Sequence, residues 1–234
     1  MTEHISKQFD VELETVRSRV LQMGGLVEEQ IVKAIEGLVS GDLPLIDTVI
    51  ADDHKVNAME VELDEACSRV IAKRQPAAGD LRLIIAVIKT ITDLERIGDE
   101  AEKIARMAKL LHTAERAHMP KLELRHISSL ALQMLRNALD ASARLDSRGA
   151  GNVVAVDRNV DDEFHSILRQ LITFMMEDPR TITRSLEILF VAKALERIGD
   201  HAKNMAEYVV YMVEGRDVRH LRPANAVKDP LAGG

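Results

Sequence analysis

Apolar residues recur every three or four positions along almost the whole chain, the period of an amphipathic helix and not the alternation of a strand. The breaks in that pattern predict six helices. The first runs from about Lys7 to Ser40 and stops at Gly41. Asp42 followed by Pro44 is a helix-start signal for the second, which reaches about Arg74. Pro76 and Gly79 interrupt the chain, and Asp80 is placed to cap a third helix that continues to about His112. Pro120 opens a fourth helix ending near Gly149 and Gly151, and the fifth spans about Val153 to Glu177. Asp178-Pro179 starts a sixth, which reaches about Gly215. Short connections between long amphipathic helices make sequence neighbours pack antiparallel. The expected fold is therefore all-α, two tandem three-helix bundles, with residues 221–234, which hold Pro223, Pro230 and a terminal Gly-Gly, as a loose tail.

An internal repeat supports this division. Leu94-Glu95-Arg96-Ile97-Gly98-Asp99 recurs letter for letter as Leu195-Glu196-Arg197-Ile198-Gly199-Asp200, and the match continues with Ala101 against Ala202 and Ala105 against Ala206. Both copies follow a Pro-marked turn, so the third helix corresponds to the sixth, and the chain reads as a duplicated unit. The expected repeats are residues 1–115 and 116–220.

Composition narrows the function. Aromatic residues are only 3% of the 234, without tryptophan, so the core rests on Leu, Ile, Val, Met and Ala. A formal charge of −7 argues against a nucleic-acid binder, which needs a basic face. The single cysteine, Cys67, allows no intrachain disulfide and reads as a small buried apolar residue. The polar start, Thr2 to Asp10, does not look like a signal peptide. The longest apolar stretch, Leu83 to Ile88, falls far short of the ~20 residues that span a bilayer. A cytoplasmic location is expected, with membrane contact only through a partner.

The candidate chemistry lies in the repeated motif. On a helical wheel of the third helix, Arg82, Lys89, Asp93, Arg96 and Glu100 form one polar arc, and Ile84, Ile88, Ile91 and Gly98 the opposite apolar one. Glu95 falls within the apolar arc and Asp99 at its edge; Glu196 and Asp200 repeat the arrangement in the sixth helix. Carboxylates on a core-facing stripe need a cationic partner, because an unpaired buried charge costs several kcal/mol. In the second helix, Asp53, Asn57, Glu60 and Asp64 line up in one column. An ungapped register sets Glu60 opposite Asp161 and Asp64 opposite His165. Converging pairs of this kind would make oxygen-rich cation sites, one per repeat, suited to Mg²⁺, Ca²⁺, Mn²⁺ or iron, with His165 adding tolerance for Zn²⁺. Gly98 and Gly199, at the same place in both copies, read as points where another helix backbone approaches. Glu115-x-x-His118 resembles half of a di-iron motif but occurs once, in a turn region, and carries no weight.

The doubled Leu-Glu-Arg-Ile-Gly-Asp, the stretch Gln75-Pro76-Ala77-Ala78-Gly79-Asp80-Leu81-Arg82, Met176-Glu177-Asp178-Pro179-Arg180-Thr181-Ile182 and the opening Phe9-Asp10 to Met23-Gly24 resemble the PhoU family over nearly the whole chain. The resemblance implies two similar three-helix bundles. It also implies multinuclear metal sites on Glu95 with Asp99 and on Glu196 with Asp200, partnered by Glu60 with Asp64 and by Asp161 with His165. Iron, zinc, manganese or magnesium are the implied ions; His165 departs from the all-acidic pattern. The implied role is negative regulation of the phosphate regulon and of phosphate uptake. It links the ATPase subunit of the high-affinity phosphate ABC transporter to a sensor histidine kinase when phosphate is plentiful, and the family member is usually a homodimer. No catalytic apparatus is visible. The competing readings are a metal-dependent helical-bundle enzyme and a purely structural bundle.

Overall fold

The computed structural model describes residues 2–113 and 123–216, with side chains from residue 8 onward; Glu115-x-x-His118, Pro120 and the tail beyond Leu221 lie outside the described residues. The described chain is helical throughout apart from its turns: α1 (Thr2–Ser40), α2 (Leu43–Arg74), α3 (Ala78–Thr113), α4 (Arg125–Arg144), α5 (Ser147–Glu177) and α6 (Ile182–Glu214). A single 3₁₀ turn, Pro179–Thr181, leads into α6.

Aspartates set the helix starts. Asp42 accepts from the Leu45 amide at 3.0 Å, with Pro44 in the first turn. Asp178 accepts from the Arg180 amide at 3.0 Å, with Pro179 behind it. Asp146 accepts from Arg148 and Gly149 amides at 3.1 and 3.0 Å. That last cap corrects an expectation. The fourth helix ends at Arg144, not near Gly149 and Gly151, and both glycines lie in the first turns of α5. Leu145 takes the left-handed C-terminal position (φ 52°) that a glycine ordinarily fills, so composition misdirects the boundary. Asp80 lies inside the first turn of α3, since that helix begins two residues earlier, at Ala78.

Helices α1, α2 and α3 pack on one another, as do α4, α5 and α6; α3 against α6 is the principal contact between the two sets, with α1 against α4 beside it. Among the described residues, α2 and α5 touch only their own bundle, so they flank a central α3–α6 pair. At Gly24 an added Cβ would stand 2.4 Å from Leu139 Cδ2, so α1 and α4 approach closely there. The core is aliphatic, with Ile31, Leu63, Leu94, Ile97, Leu135, Leu195 and Ile198 fully buried. Cys67 is buried among them, and burial, then the Asp64 charge, pushes its thiol up to about 11.

Apart from the exposed Arg96, the polar arc of α3 is turned away from water. It forms the seam with α6, which runs antiparallel to it. His201 Nδ1 lies 2.7 Å from Asp93 Oδ1 with both residues buried, and the Asn204 amide reaches the same oxygen at 3.4 Å. Arg197 Nε meets Glu100 Oε1 at 2.8 Å, and the Lys89 ammonium lies 5.5 Å from the centre of the Tyr208 ring. A single-helix wheel cannot tell a solvated polar arc from one that a second bundle covers with complementary groups.

Candidate functional site

Each repeat carries an acidic centre where its second helix crosses its third. Gly98 and Gly199 mark the crossings. A Cβ built on Gly98 would stand 3.2 Å from Val56 Cγ1, and one on Gly199 would stand 3.4 Å from Val160 Cγ1. The atoms nearest these points are side chains, so the approach of another helix backbone, expected from the repeated glycine, is replaced by side-chain contact, tight at Gly98 and ordinary at Gly199. These contacts, with the shared caps Asp42 and Asp146, also fix the register of α2 against α5. Asp53 corresponds to Asp157 and Asn57 to Asp161; Glu60 corresponds to Phe164 and Asp64 to Leu168. The ungapped register, with Glu60 opposite Asp161 and Asp64 opposite His165, is therefore wrong along these helices, because the connection to α6 is shorter than the one to α3.

In the first repeat, Glu95, Asp99, Glu60 and Asp53 face one another across the crossing. Partial loss of water, then the charges of Asp99, Glu60 and Asp53, holds the Glu95 carboxyl above the usual range, against a pull from Arg96. Asp99 is raised in the same way, by loss of water, then by Asp53, Glu102 and Glu100. Asp64 stands a turn further along α2, exposed, and its charge acts on Cys67. Its place is taken by Asp53, which is 8% exposed and stands in the same column. Asp53 is held by two amides: Gln30 Nε2 donates to Oδ1 at 3.0 Å and Asn57 Nδ2 to Oδ2 at 3.1 Å. The other ends of those amides, Gln30 Oε1 and Asn57 Oδ1, are buried without a hydrogen-bond partner.

In the second repeat, Asp157, Asp161, Glu196 and Asp200 come together. Loss of water, then Glu196, Asp157 and Asp161, raises the Asp200 carboxyl, and Lys203 lowers it. Asp161 is raised by loss of water, Asp157 and Glu196, and is eased by Lys203 and His165, whose imidazole is exposed. Two lysines enter this centre. Lys203 Nζ lies 2.5 Å from Asp157 Oδ2, and Lys193 Nζ lies 2.6 Å from Glu196 Oε2. The aligned positions in the first repeat are Glu102 and Thr92.

The donor sets are hard oxygens of the kind that hold Mg²⁺, Mn²⁺ or iron, and the orphaned Gln30 and Asn57 oxygens add neutral carbonyl donors to the first. As the side chains stand, no three acidic, histidine or cysteine groups among the described residues are arranged to hold a metal ion. The carboxylates of the first repeat would have to draw closer together to close on one. Among the described residues Asp53, Glu60, Glu95 and Asp99 make no ion pair, so no existing bridge opposes that movement.

A duplicated three-helix unit with an acidic centre at each crossing defines the class: a paired-bundle protein with two pseudo-equivalent polar sites. The PhoU domain model matches residues 20–108 and 124–209, and the chain belongs to the PhoU family. It is 51% identical over 223 residues to a phosphate-specific transport system accessory protein PhoU homolog of Pseudomonas aeruginosa, covering 94% of this chain and 91% of that one. It is 48% identical over 222 residues to the phosphate-specific transport system accessory protein PhoU of Escherichia coli K12, covering 94% and 91%. The crystal structure of PhoU from Pseudomonas aeruginosa superposes with a TM-score of 0.85 at 50% identity, over 89% of this chain and 100% of that one. The phosphate transport system regulatory protein PhoU of Streptococcus pneumoniae gives a TM-score of 0.83 at 28% identity, over 90% and 99%. No described helix is long and apolar enough to cross a membrane.

Proposed function

We propose that this chain is an accessory regulator of phosphate transport that represses the phosphate regulon and restrains uptake when phosphate is plentiful. The observation that carries this reading is kinship along nearly the full length of relatives named for that transport system. In this role it works in the cytoplasm and as a homodimer. It meets the ATPase subunit of the phosphate ABC transporter and a sensor histidine kinase through its surfaces. It acts by binding and not by turnover. An acidic centre of this kind is its metal site, binding a divalent or trivalent ion such as iron, zinc, manganese or magnesium. Asp53, Glu60, Glu95 and Asp99 form the better-suited donor set, and a bound ion would supply the positive charge that their crowding calls for. Asp157, Asp161, Glu196 and Asp200, with the exposed His165 beside Asp161, make up the second centre.

The test is a phosphate-repressed promoter fused to a reporter, in a strain lacking this gene, grown in excess phosphate. High output that falls when the gene is restored is expected. Output that stays low in the deletion strain, with no second copy of the gene present, sinks the regulatory reading.

A further inference from the structure

We propose that the two acidic centres are unequal: Lys203 and Lys193 are the resident cations of the second repeat, and a metal ion binds at the first repeat alone, with the buried Gln30 amide oxygen among its ligands. This rests on the reading of the acidic centres as metal sites and says which of them is one.

An acidic cluster by itself does not make a site. The second observation is the amide of Gln30, which is 6% exposed and has an Oε1 without a partner. That oxygen lies 3.4 Å from the point where a Cβ on Gly98 would stand, with Asp53 Oδ1 3.5 Å from the same point. Gly98 lies next to Asp99 and three residues from Glu95, so the orphaned oxygen lies against the turn of α3 that carries both carboxylates. A buried carbonyl left unsatisfied costs about 1–3 kcal/mol, and a hard cation among the carboxylates would satisfy it. Met134 occupies the same place in the second repeat and lies against Gly199 through its sulfur, at 3.6 Å. At this aligned position the first centre has a neutral oxygen donor and the second has a thioether.

The lysines complete the contrast. Across the aligned positions, the first centre has the carboxylates Asp53, Glu60, Glu95, Asp99 and Glu102 and no lysine. Arg106 takes Glu102, at 2.5 Å. The second centre has Asp157, Asp161, Glu196 and Asp200, with Lys193 and Lys203 among them. An ion entering there would have to break both ammonium–carboxylate pairs and would meet two positive charges as it arrived.

The experiment is equilibrium dialysis of the full chain against Mn²⁺, Zn²⁺ and, without oxygen, Fe²⁺, with bound metal measured by elemental analysis. Glu95→Gln with Asp99→Asn should reduce bound metal to background, and Glu196→Gln with Asp200→Asn should leave it unchanged. Gln30→Met, which copies the second repeat, should weaken binding about tenfold or more. Lys193→Met with Lys203→Met should add metal that Asp200→Asn removes again, whereas Lys203→Arg, which keeps the charge, should add none. Circular dichroism identifies any variant that fails to fold, and the Gln30 and Lys203→Arg variants decide without the lysine deletions. If metal falls by half with either acidic pair, both centres bind and the lysine proposal is overturned while the metal reading stands. If the unaltered chain binds none of the three ions, the metal reading fails and takes the proposal with it.

Discussion

The two repeats stabilise the same buried aspartate by different means. Asp53 is held by neutral N–H donors from Gln30 and Asn57, and Asp157 by the Lys203 ammonium. Neither solution transfers to the other repeat. Met134 and Asp161 stand where Gln30 and Asn57 would be needed, and Glu102 stands where Lys203 would be. Duplication preserved the geometry of the crossing, fixed by Gly98 with Val56 and Gly199 with Val160, while the charge inside it diverged. A carboxylate held by amides, with the Arg106 guanidinium acting on Asp53 only from a distance, keeps more of its negative charge available to a ligand; one held by an ammonium is already neutralised.

The largest effect should come from removing that ammonium. Lys203→Met leaves Asp157, 7% exposed, without its ionic partner and with no amide to replace it. Breaking a buried pair from one side costs about 3–5 kcal/mol. With the Lys203 side chain 32% exposed, about 2–3 kcal/mol is expected. Urea denaturation measures it. Adding Met134→Gln to Lys203→Met copies the first-repeat solution and should restore part of the loss. A cost below about 0.5 kcal/mol for Lys203→Met would mean that the pair contributes as little as an exposed one.

The repeats also differ at the ends of their first helices. Gly41 and Leu145 hold equivalent left-handed positions, at φ 74° and 52°. After α4 the backbone closes with Leu145 N donating to Ser142 O at 3.4 Å and Asp146 N to Ala141 O at 2.9 Å, the two bonds of a Schellman turn. Gly41→Ala should cost about 1–2 kcal/mol, from left-handed strain. Contact adds to it, since the new Cβ would stand 2.8 Å from His112 Nδ1, on a ring anchored through Nε2 to Leu38 O at 2.8 Å. Leu145→Gly should stay within about 0.5 kcal/mol of the parent, because relief of about 1 kcal/mol of strain offsets the modest packing lost by an exposed side chain. Thermal unfolding of the two variants side by side reads the difference. Equal losses would show that the conformational cost at Leu145 is negligible.

These contrasts mark how far the sequence could be read. Helix periodicity, the Asp-Pro starts and the repeated motif were enough for six helices in two bundles, because each is a local signal. The end of α4 was not legible, because Leu145 does what a glycine usually does there and Gly149 and Gly151 sit inside a helix. Glu95, Asp99, Glu196 and Asp200 were legible as carboxylates on an apolar stripe. Asp53 was legible as part of the α2 column, but its correspondence to Asp157 was not, since the register between α2 and α5 depends on the unequal connections to α3 and α6. Register also hid the lysines: Lys193 and Lys203 gain their meaning only from Glu196 on the same helix and Asp157 on the neighbouring one. The Asp93–His201 pair in the α3–α6 seam was invisible for a different reason, since it exists only once the two bundles dock.

The finest test of the divergence is at the motif glycines themselves. Placing alanine in a helix interior gains about 1 kcal/mol over glycine. At Gly199 the new methyl group would lie 3.4 Å from Val160 Cγ1 and 3.6 Å from the Met134 sulfur, ordinary contact distances with flexible neighbours. Gly199→Ala should therefore be neutral or stabilising by up to about 1 kcal/mol. At Gly98 the methyl group would lie 3.2 Å from Val56 Cγ1 and beside Gln30 Oε1 and Asp53 Oδ1, which are fixed to each other by a hydrogen bond. Crowding there should consume the helix gain and leave Gly98→Ala destabilised by roughly 0.5–1 kcal/mol. The sign of the difference between the two variants, measured in the same denaturation series, separates a glycine kept for helix approach alone from one that also leaves room beside a polar centre. If Gly98→Ala is as stable as Gly199→Ala, the oxygens of Gln30 and Asp53 have space to move, and the first centre is held less rigidly than its hydrogen bonds imply.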